Sequence, residues 1–272
     1  MNRAPDISRP DTWDDFSRDY EEMAEPNTSR FAVALADQLR VTADDRVIDI
    51  GCGPGALALH LAAQGVEVTA IDHSPAMVAR LRRRAEEQGL QLASEAMDGQ
   101  ALAFPDESFD LAFSAFGIFL FPDNRAGLAE AVRVVRPGGR VALATWQGRF
   151  GAGPSQLLHS AYAELFPDRP ITFPSEGAAA WGDPEVLKAA MEDAGLEHVS
   201  VTAHQRDWVF ASRDWIGKQA QNLLRMFPAW AELNTPERER LVEIAVSRLD
   251  ERDPPSVPST ALFAVGQKPS GI

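Results

Sequence analysis

"VIDIGCGPGALALHLAAQGVEVTAID" (Val47–Asp72) sets three glycines, Gly51, Gly53 and Gly55, between an apolar run and a helix-forming segment. It ends on an aspartate 21 residues after the first glycine. Val47–Ile50 reads as a buried strand, 56–64 as a helix and Val66–Ile71 as a second strand. A glycine-rich turn between strand and helix lets the main chain come close to a ligand. The dinucleotide fingerprint spaces its glycines G-x-G-x-x-G and seats a pyrophosphate on the helix N-terminus. Here the third glycine arrives one residue early, and Pro54 removes an amide that a phosphate would use. The spacing favours a ligand without a pyrophosphate. A purely structural tight turn is the competing reading of the triplet.

The alternation continues outward. Phe109–Ser114 and Arg140–Thr145 read as further strands, with a weaker candidate at Gln91–Ala96. Helical segments fall at 75–88 and 123–135, and Phe31–Leu39 is helical in pattern ahead of the first strand. Ser74 and Pro75 make a good N-cap and first helical position, with Val78, Leu81 and Ala85 on one face. Strands alternating with helices imply a parallel sheet covered on both sides. After Trp146 the rhythm breaks into a Gly-, Pro- and aromatic-rich stretch with a helix near 155–165. It returns at Pro184–Ala194 and a strand-like 198–209. A second irregular stretch, about 212–258, carries two helical patterns, and "ALFAVGQK" closes as a strand.

Composition narrows the class. The 272 residues are 45% apolar, enough for a sizeable core, and no run approaches the length needed to span a bilayer. Cys52 is the sole cysteine, so an intramolecular disulfide is excluded and a cysteine-based zinc site is disfavoured. With no apolar h-region at the N-terminus, the expectation is a soluble cytoplasmic protein. The net charge of −14 argues against nucleic acid as a partner. The one dense cationic cluster, Arg80, Arg82, Arg83 and Arg84, reads as the solvated face of a helix.

"VIDIGCGPG" resembles the first motif of the class I S-adenosylmethionine-dependent methyltransferases. "VTAIDHSPAMVARLRRRA" is similar to the second, "AMDGQALAFPDESFDLAFSAFGIFLFPD" to the third and fourth, and "EAVRVVRPGGRVALATW" to the fifth. The match runs over about 46–146 in the family's order, within the ubiquinone/menaquinone-type subgroup of small-molecule methyltransferases. It implies a Rossmann-like α/β fold: a seven-stranded, mostly parallel sheet with helices on both faces and a small helical cap from two insertions. The implied layout is an N-terminal helical lid (1–45), the cofactor-binding core (46–146), a cap insertion (147–183), and the rest of the core (184–272) with a second cap insertion at about 212–258.

The resemblance also implies roles. S-adenosylmethionine is the expected cofactor and a small molecule the expected acceptor. Gly51 and Gly53, with Cys52 between them, pass the methionine part. Asp49 meets the ammonium group, or else caps the turn. Asp72 accepts both ribose hydroxyls, a geometry a carboxylate suits, with helix capping as the alternative. His73 borders the ribose or is an exposed loop histidine, and Met77 packs on adenine or in the core. Asp98 accepts from the adenine amino group, with the Met97 and Gly99 backbone beside it, or else is a turn aspartate. Ser114 ends the fourth strand near the donor methyl. Tyr20, in the stripe Trp13, Phe16, Tyr20, reaches the methionine carboxylate or simply packs.

Methyl transfer from a sulfonium needs alignment and water exclusion more than a dedicated base. Tyr20, His159 and His204 are the catalytic candidates. Phe116, Phe119, Trp146 and Phe150, at the ends of strands four and five, suggest an aromatic pocket for a flat or apolar acceptor. No trusted metal-ligand spacing is present. Protein or tRNA methylation and a non-catalytic cofactor-binding protein remain as other readings.

Overall fold

A computed structural model describes residues 6–171, 176–216, 218–219, 230, 232–249 and 251–270. The stretches read as strands pair into one sheet: β1 (Arg46–Ile50), β2 (Glu67–Asp72), β3 (Ala93–Ala96), β4 (Phe109–Ala115), β5 (Val135–Trp146), β6 (Glu197–Val209) and β7 (Ser256–Gln267). Their order is β3-β2-β1-β4-β5-β7-β6. The first five pair in parallel, and β7 runs antiparallel to both β5 and β6. In β1, Val47, Ile48, Asp49 and Ile50 are all buried although successive side chains point to opposite faces. Both faces of the central sheet are therefore covered.

The covering helices include α2 (Glu25–Leu39), α3 (Ala56–Ala63), α4 (Pro75–Glu87), α5 (Asn124–Val134), α7 (Glu176–Ala180) and α8 (Pro184–Asp193). They begin where the sequence signals fall. Ser74 accepts a hydrogen bond from the Met77 N–H at the start of α4, and Asp183 caps α8 in the same way. Gly55 opens α3 at φ 91, and a Cβ there would lie 2.1 Å from Leu81 Cδ1 on α4. The third glycine is thus a packing residue between two helices, as well as part of a turn.

Two features lie outside the regular repeat. Ahead of the sheet, α1 (Pro10–Asp19) runs into α2 through a π-helical turn at Tyr20–Ala24. Beyond Trp146, α6 (Gly153–Leu165) and α9 (Thr235–Ser247) share a second hydrophobic cluster with Trp208, Phe210, Trp230 and Leu249. The two irregular stretches of sequence therefore pack on each other. Of the two helical patterns in the second stretch, α9 is one; the other falls largely on 217 and 220–229, outside the described residues.

The cationic ridge of α4 is not a solvated face. Arg80 donates to Ser17 and pairs with Glu21, Arg83 also pairs with Glu21, and Arg84 pairs with Glu25 and donates to the Pro54 carbonyl. Three of the four arginines hold the N-terminal segment against the core. Arg82 instead donates to Ser94 on β3.

Candidate functional site

In sheets of this strand order, ligands bind past the carboxyl ends of the strands, at the point where the order reverses. Here that point lies between β1 and β4. Gly51 (φ 71) follows β1, and Gly117 follows β4. A Cβ on Gly51 would lie 3.0 Å from Gly117 Cα, so the two turns touch back to back. A cavity of about 500 Å³ opens above them. Its walls come from the glycine loop, the ends of β2, β4, β5 and β6, the loop after β3, the α1–α2 segment and the start of α6.

One side of the cavity is acidic. Asp49 is 2% exposed, and its Oδ2 has no hydrogen-bond partner among the described residues. Burial, then the nearby Asp72 carboxylate, push its pKa up to about 7. Asp72 accepts from the Gly53 N–H and the Ser74 N–H, both at 2.9 Å. A carboxylate has about four acceptor positions, so two remain after these bonds. Its pKa is raised by burial, against the lowering effect of those two amides. Asp98 is exposed at the rim and accepts from the backbone and side chain of Gln100. Cys52, His73 and Met77 line the same side; the Cys52 thiol is held well above its usual range by burial. Tyr20 lies over Gly53, its Cε1 3.7 Å from where a Cβ would stand. Its hydroxyl shares a hydrogen bond with Thr28 Oγ1 at 3.2 Å, and burial pushes its pKa up to about 12.

The other side is aromatic. Phe116, Phe119, Trp146 and Phe150 all line it, joined by Trp208. Phe116 has φ 63, a backbone region costly for a bulky residue, and its ring stacks on Trp146. His159 also lines this half. It is 4% exposed and stacks on Phe150, with Nδ1 2.9 Å from the Ser155 carbonyl. Burial lowers its pKa to about 4, so it is neutral at physiological pH.

Some expected site residues stand elsewhere. Ser114 does not line the cavity: its hydroxyl donates to the Ile50 carbonyl at 2.7 Å and accepts from the Ile118 N–H at 2.9 Å. It ties the ends of β1 and β4 together. Met97 and Gly99 also lie behind the wall. Met97 receives the Ala103 N–H on its sulfur, and a Cβ on Gly99 would lie 2.6 Å from the Phe121 ring. His204, on β6, stacks on Phe263 at 4.1 Å and pairs with Thr202, away from the cavity. Two contributors went unread in the sequence. Trp208 comes from the far edge of the sheet, where the β6–β7 ladder continues to Val209↔Ser256, past the end of β5 at Trp146↔Ala261. Asp14, on α1, reaches α4. Neither carries a local signal, because each acts at a long-range junction. Among the described residues, no group of three or more His, Cys, Asp or Glu is placed to hold a metal. None of their helices is long and apolar enough to cross a membrane.

The fold and the site together define a Rossmann-like α/β core with its ligand cleft at the sheet's reversal point. A family profile described as "Methyltransferase domain" matches residues 47–139. The chain is 33% identical to 27-O-demethylrifamycin SV methyltransferase of Amycolatopsis mediterranei, over 81% of this chain and 79% of that protein. It is 35% identical to demethylmenaquinone methyltransferase of Thermus thermophilus, over 57% of this chain and 75% of that one. Among solved structures, phosphoethanolamine N-methyltransferase 2 of Haemonchus contortus superposes with a TM-score of 0.57 at 18% identity, covering 89% of this chain and 53% of that one. The match to uncharacterized Mycobacterium tuberculosis proteins, 34% identical over 60% of this chain, spans 58% of their length. The chain belongs to the class I S-adenosylmethionine-dependent methyltransferases, a family whose cofactor is S-adenosylmethionine.

The residues present fit that cofactor. A buried carboxylate oxygen without a partner, at Asp49, suits an ammonium group. Asp72 keeps acceptor capacity at the end of β2, and the glycine turn has no side chain at its closest approach to the cavity.

Proposed function

We propose that this chain is an enzyme that methylates a small, flat and largely apolar acceptor. The carrying observation is one continuous cavity that joins the acidic, glycine-lined ends of β1 and β2 to the aromatic ends of β4, β5 and β6. S-adenosylmethionine, when bound, supplies an activated methyl group on a sulfonium. Asp49, Gly51 and Gly53 are the residues that would hold its methionine part, with Tyr20 above them. Asp72 and His73 would hold the ribose, and Asp98 and Met77 the adenine. Phe116, Phe119, Trp146 and Phe150 would orient the acceptor and keep water out, and alignment of this kind is worth roughly 7–11 kcal/mol.

His159 is the imidazole on the acceptor side, and its pKa of about 4 makes it a poor proton acceptor. That supports a nucleophile that arrives with its lone pair available. Two relatives, by their names, methylate a rifamycin and a demethylmenaquinone, which supports a small-molecule acceptor.

Calorimetry with S-adenosylhomocysteine, then a screen of phenolic, quinol and amine acceptors with S-adenosylhomocysteine release as the readout, tests the reading. Binding and turnover on a planar acceptor are expected. Binding of NADH with no binding of S-adenosylhomocysteine would overturn it.

A further inference from the structure

We propose that Asp14 is a positioning residue for the cofactor site, acting through Ser74 to keep the Asp72 carboxylate free to receive the ribose. The proposal rests on the functional reading above and adds a residue that touches no ligand. Asp14 is absent from the cavity wall.

Its Oδ1 accepts from the Ser74 hydroxyl at 2.5 Å and from the Ala76 N–H at 2.9 Å. Ser74 is fully buried, and its oxygen accepts in turn from the Met77 N–H at 3.1 Å. The Ser74 N–H donates to Asp72 Oδ1, and the Gly53 N–H donates to Asp72 Oδ2. A single chain of hydrogen bonds therefore runs from α1, through the first turn of α4, to the ribose carboxylate and on to the glycine loop.

The direction of each bond matters. A serine hydroxyl has one proton, and here Asp14 takes it. Remove that acceptor, and the buried hydroxyl must find another, because leaving it unpaired is costly. Asp72, two residues away and already bonded to the Ser74 amide, is the nearest carboxylate on the same turn. A hydroxyl turned toward Asp72 competes for the acceptor positions that ribose hydroxyls need. The Ala76 N–H, one of the unsatisfied donors of the first helical turn, loses its partner at the same time.

The seating of α1 does not depend on Asp14 alone. Arg80 and Arg83 hold Glu21, Arg84 holds Glu25, and the Trp13 ring meets His73 edge-on at 6.4 Å. Asp14→Ala should therefore leave α1 in place while altering the Asp72 environment.

The test is a double-mutant cycle on the full chain, with S-adenosylhomocysteine affinity read by calorimetry and folding checked by thermal unfolding. Asp14→Ala is expected to weaken binding about tenfold, whereas Ser74→Ala, which leaves no hydroxyl to turn toward Asp72, should bind within about threefold of the wild type. In an Asp72→Ala background, Asp14→Ala should change affinity by less than twofold, because the group it acts through is gone. A lid contact or a purely structural role predicts the same added loss in both backgrounds. A further loss of fivefold or more in the double variant overturns the proposal. So does an Asp14→Ala protein that binds within twofold of the wild type. If Asp14→Ala does not fold, Asp14→Asn, whose neutral oxygen is a weaker acceptor for the Ser74 hydroxyl than the Asp72 carboxylate, carries the same cycle. A wild-type protein that binds no S-adenosylhomocysteine overturns the functional reading and this proposal together, whereas tight wild-type binding with additive losses overturns this proposal alone.

Discussion

The ring of Phe116 lies on that of Trp146, centroids 3.9 Å apart and planes 19° from parallel, where the adjacent strands β4 and β5 end. The stack is reached from a left-handed backbone, with Phe116 at φ 63. Such a conformation costs a side-chain-bearing residue about 1–2 kcal/mol. The position thus sets backbone strain against an aromatic wall.

Two substitutions separate those terms. Phe116→Ala loses the ring and keeps the strain, while Phe116→Gly loses the ring and releases the strain. Phe116→Gly should be the more stable of the two by about 1 kcal/mol in urea unfolding, since glycine's extra chain entropy offsets part of the relief. Both should raise the acceptor KM alike and leave S-adenosylhomocysteine affinity within about threefold. An alanine variant at least as stable as the glycine variant would show that the backbone there is relaxed.

Asp49 should make cofactor binding depend on pH. Its folded pKa of about 7 lies above the usual 3.8, so between these values the folded protein binds more protons than the unfolded chain. The contribution of Asp49 to stability is therefore present below about pH 4 and lost as pH rises to about 7. An ammonium group beside it favours the carboxylate and lowers that pKa. Affinity for S-adenosylhomocysteine should then climb from pH 5.5 to about 7, by up to about tenfold per unit, and flatten above. Asp49→Asn should flatten the profile. A wild-type profile without slope would place the ammonium elsewhere.

The segment ahead of α2 should be separable from the sheet. Phe31 and Leu35 of α2 belong to the core beneath the sheet, whereas Phe16 and Met23 are buried beside the cavity. Deleting residues 1–24 should leave cooperative unfolding and strand content intact but weaken S-adenosylhomocysteine binding by more than tenfold and abolish turnover. Hydrogen exchange across residues 11–30 should slow when the ligand binds. Tyr20→Phe alone should cost about 0.5–1.5 kcal/mol of binding. Unchanged protection, together with normal turnover by the shortened chain, would reduce the segment to ordinary packing.

Gly53 and Gly55 should respond differently to alanine. At Gly55, both φ 91 and the 2.1 Å approach to Leu81 oppose a side chain. Gly55→Ala should cost about 2–4 kcal/mol of stability, combining strain and overpacking. At Gly53 the nearest atom to a new Cβ is 3.7 Å away on Tyr20, so strain alone, about 1–2 kcal/mol, remains. Its larger effect should appear in cofactor affinity. Equal stability losses at the two sites would contradict the packing role of Gly55.

Most of the parallel half of the sheet was readable because β1, β2 and β4 are buried apolar runs closed by a turn: Val47–Ile50 and Phe109–Ser114 fall within a residue or so of the observed β1 and β4, whereas β3, largely exposed Ala93–Ala96, was the weaker reading. Asp49, Asp72 and Asp98, at or just past strand ends, were implied by the family resemblance, and all three line the cavity. Position misled at Ser114, which ends β4 as expected but turns its hydroxyl to the Ile50 carbonyl. His204 fails for a related reason: the side chains of β6 alternate between two faces, and nothing local says which one meets a site. The arginines of α4 looked solvated because the acids that neutralise them, Glu21 and Glu25, lie about 60 residues earlier in the chain. A helix face declares its charge in the sequence, but not its partner.

The position of β7 has a consequence for how the chain assembles. β6 precedes β7 in sequence, yet β7 sits between β5 and β6. Within the sheet, β6 has no backbone partner until β7 is in place. During synthesis, the parallel half and the glycine loop can form early, while β6 waits for about 50 more residues, roughly 2–10 s at ordinary elongation rates. Trp208 rides on β6, so the aromatic side of the cavity is completed only when β7 closes the ladder. The glycine loop and the ends of β1 and β2 can thus be in place on a nascent chain before the aromatic half of the cavity exists, and a failure of the last pairing leaves the cavity open on that side.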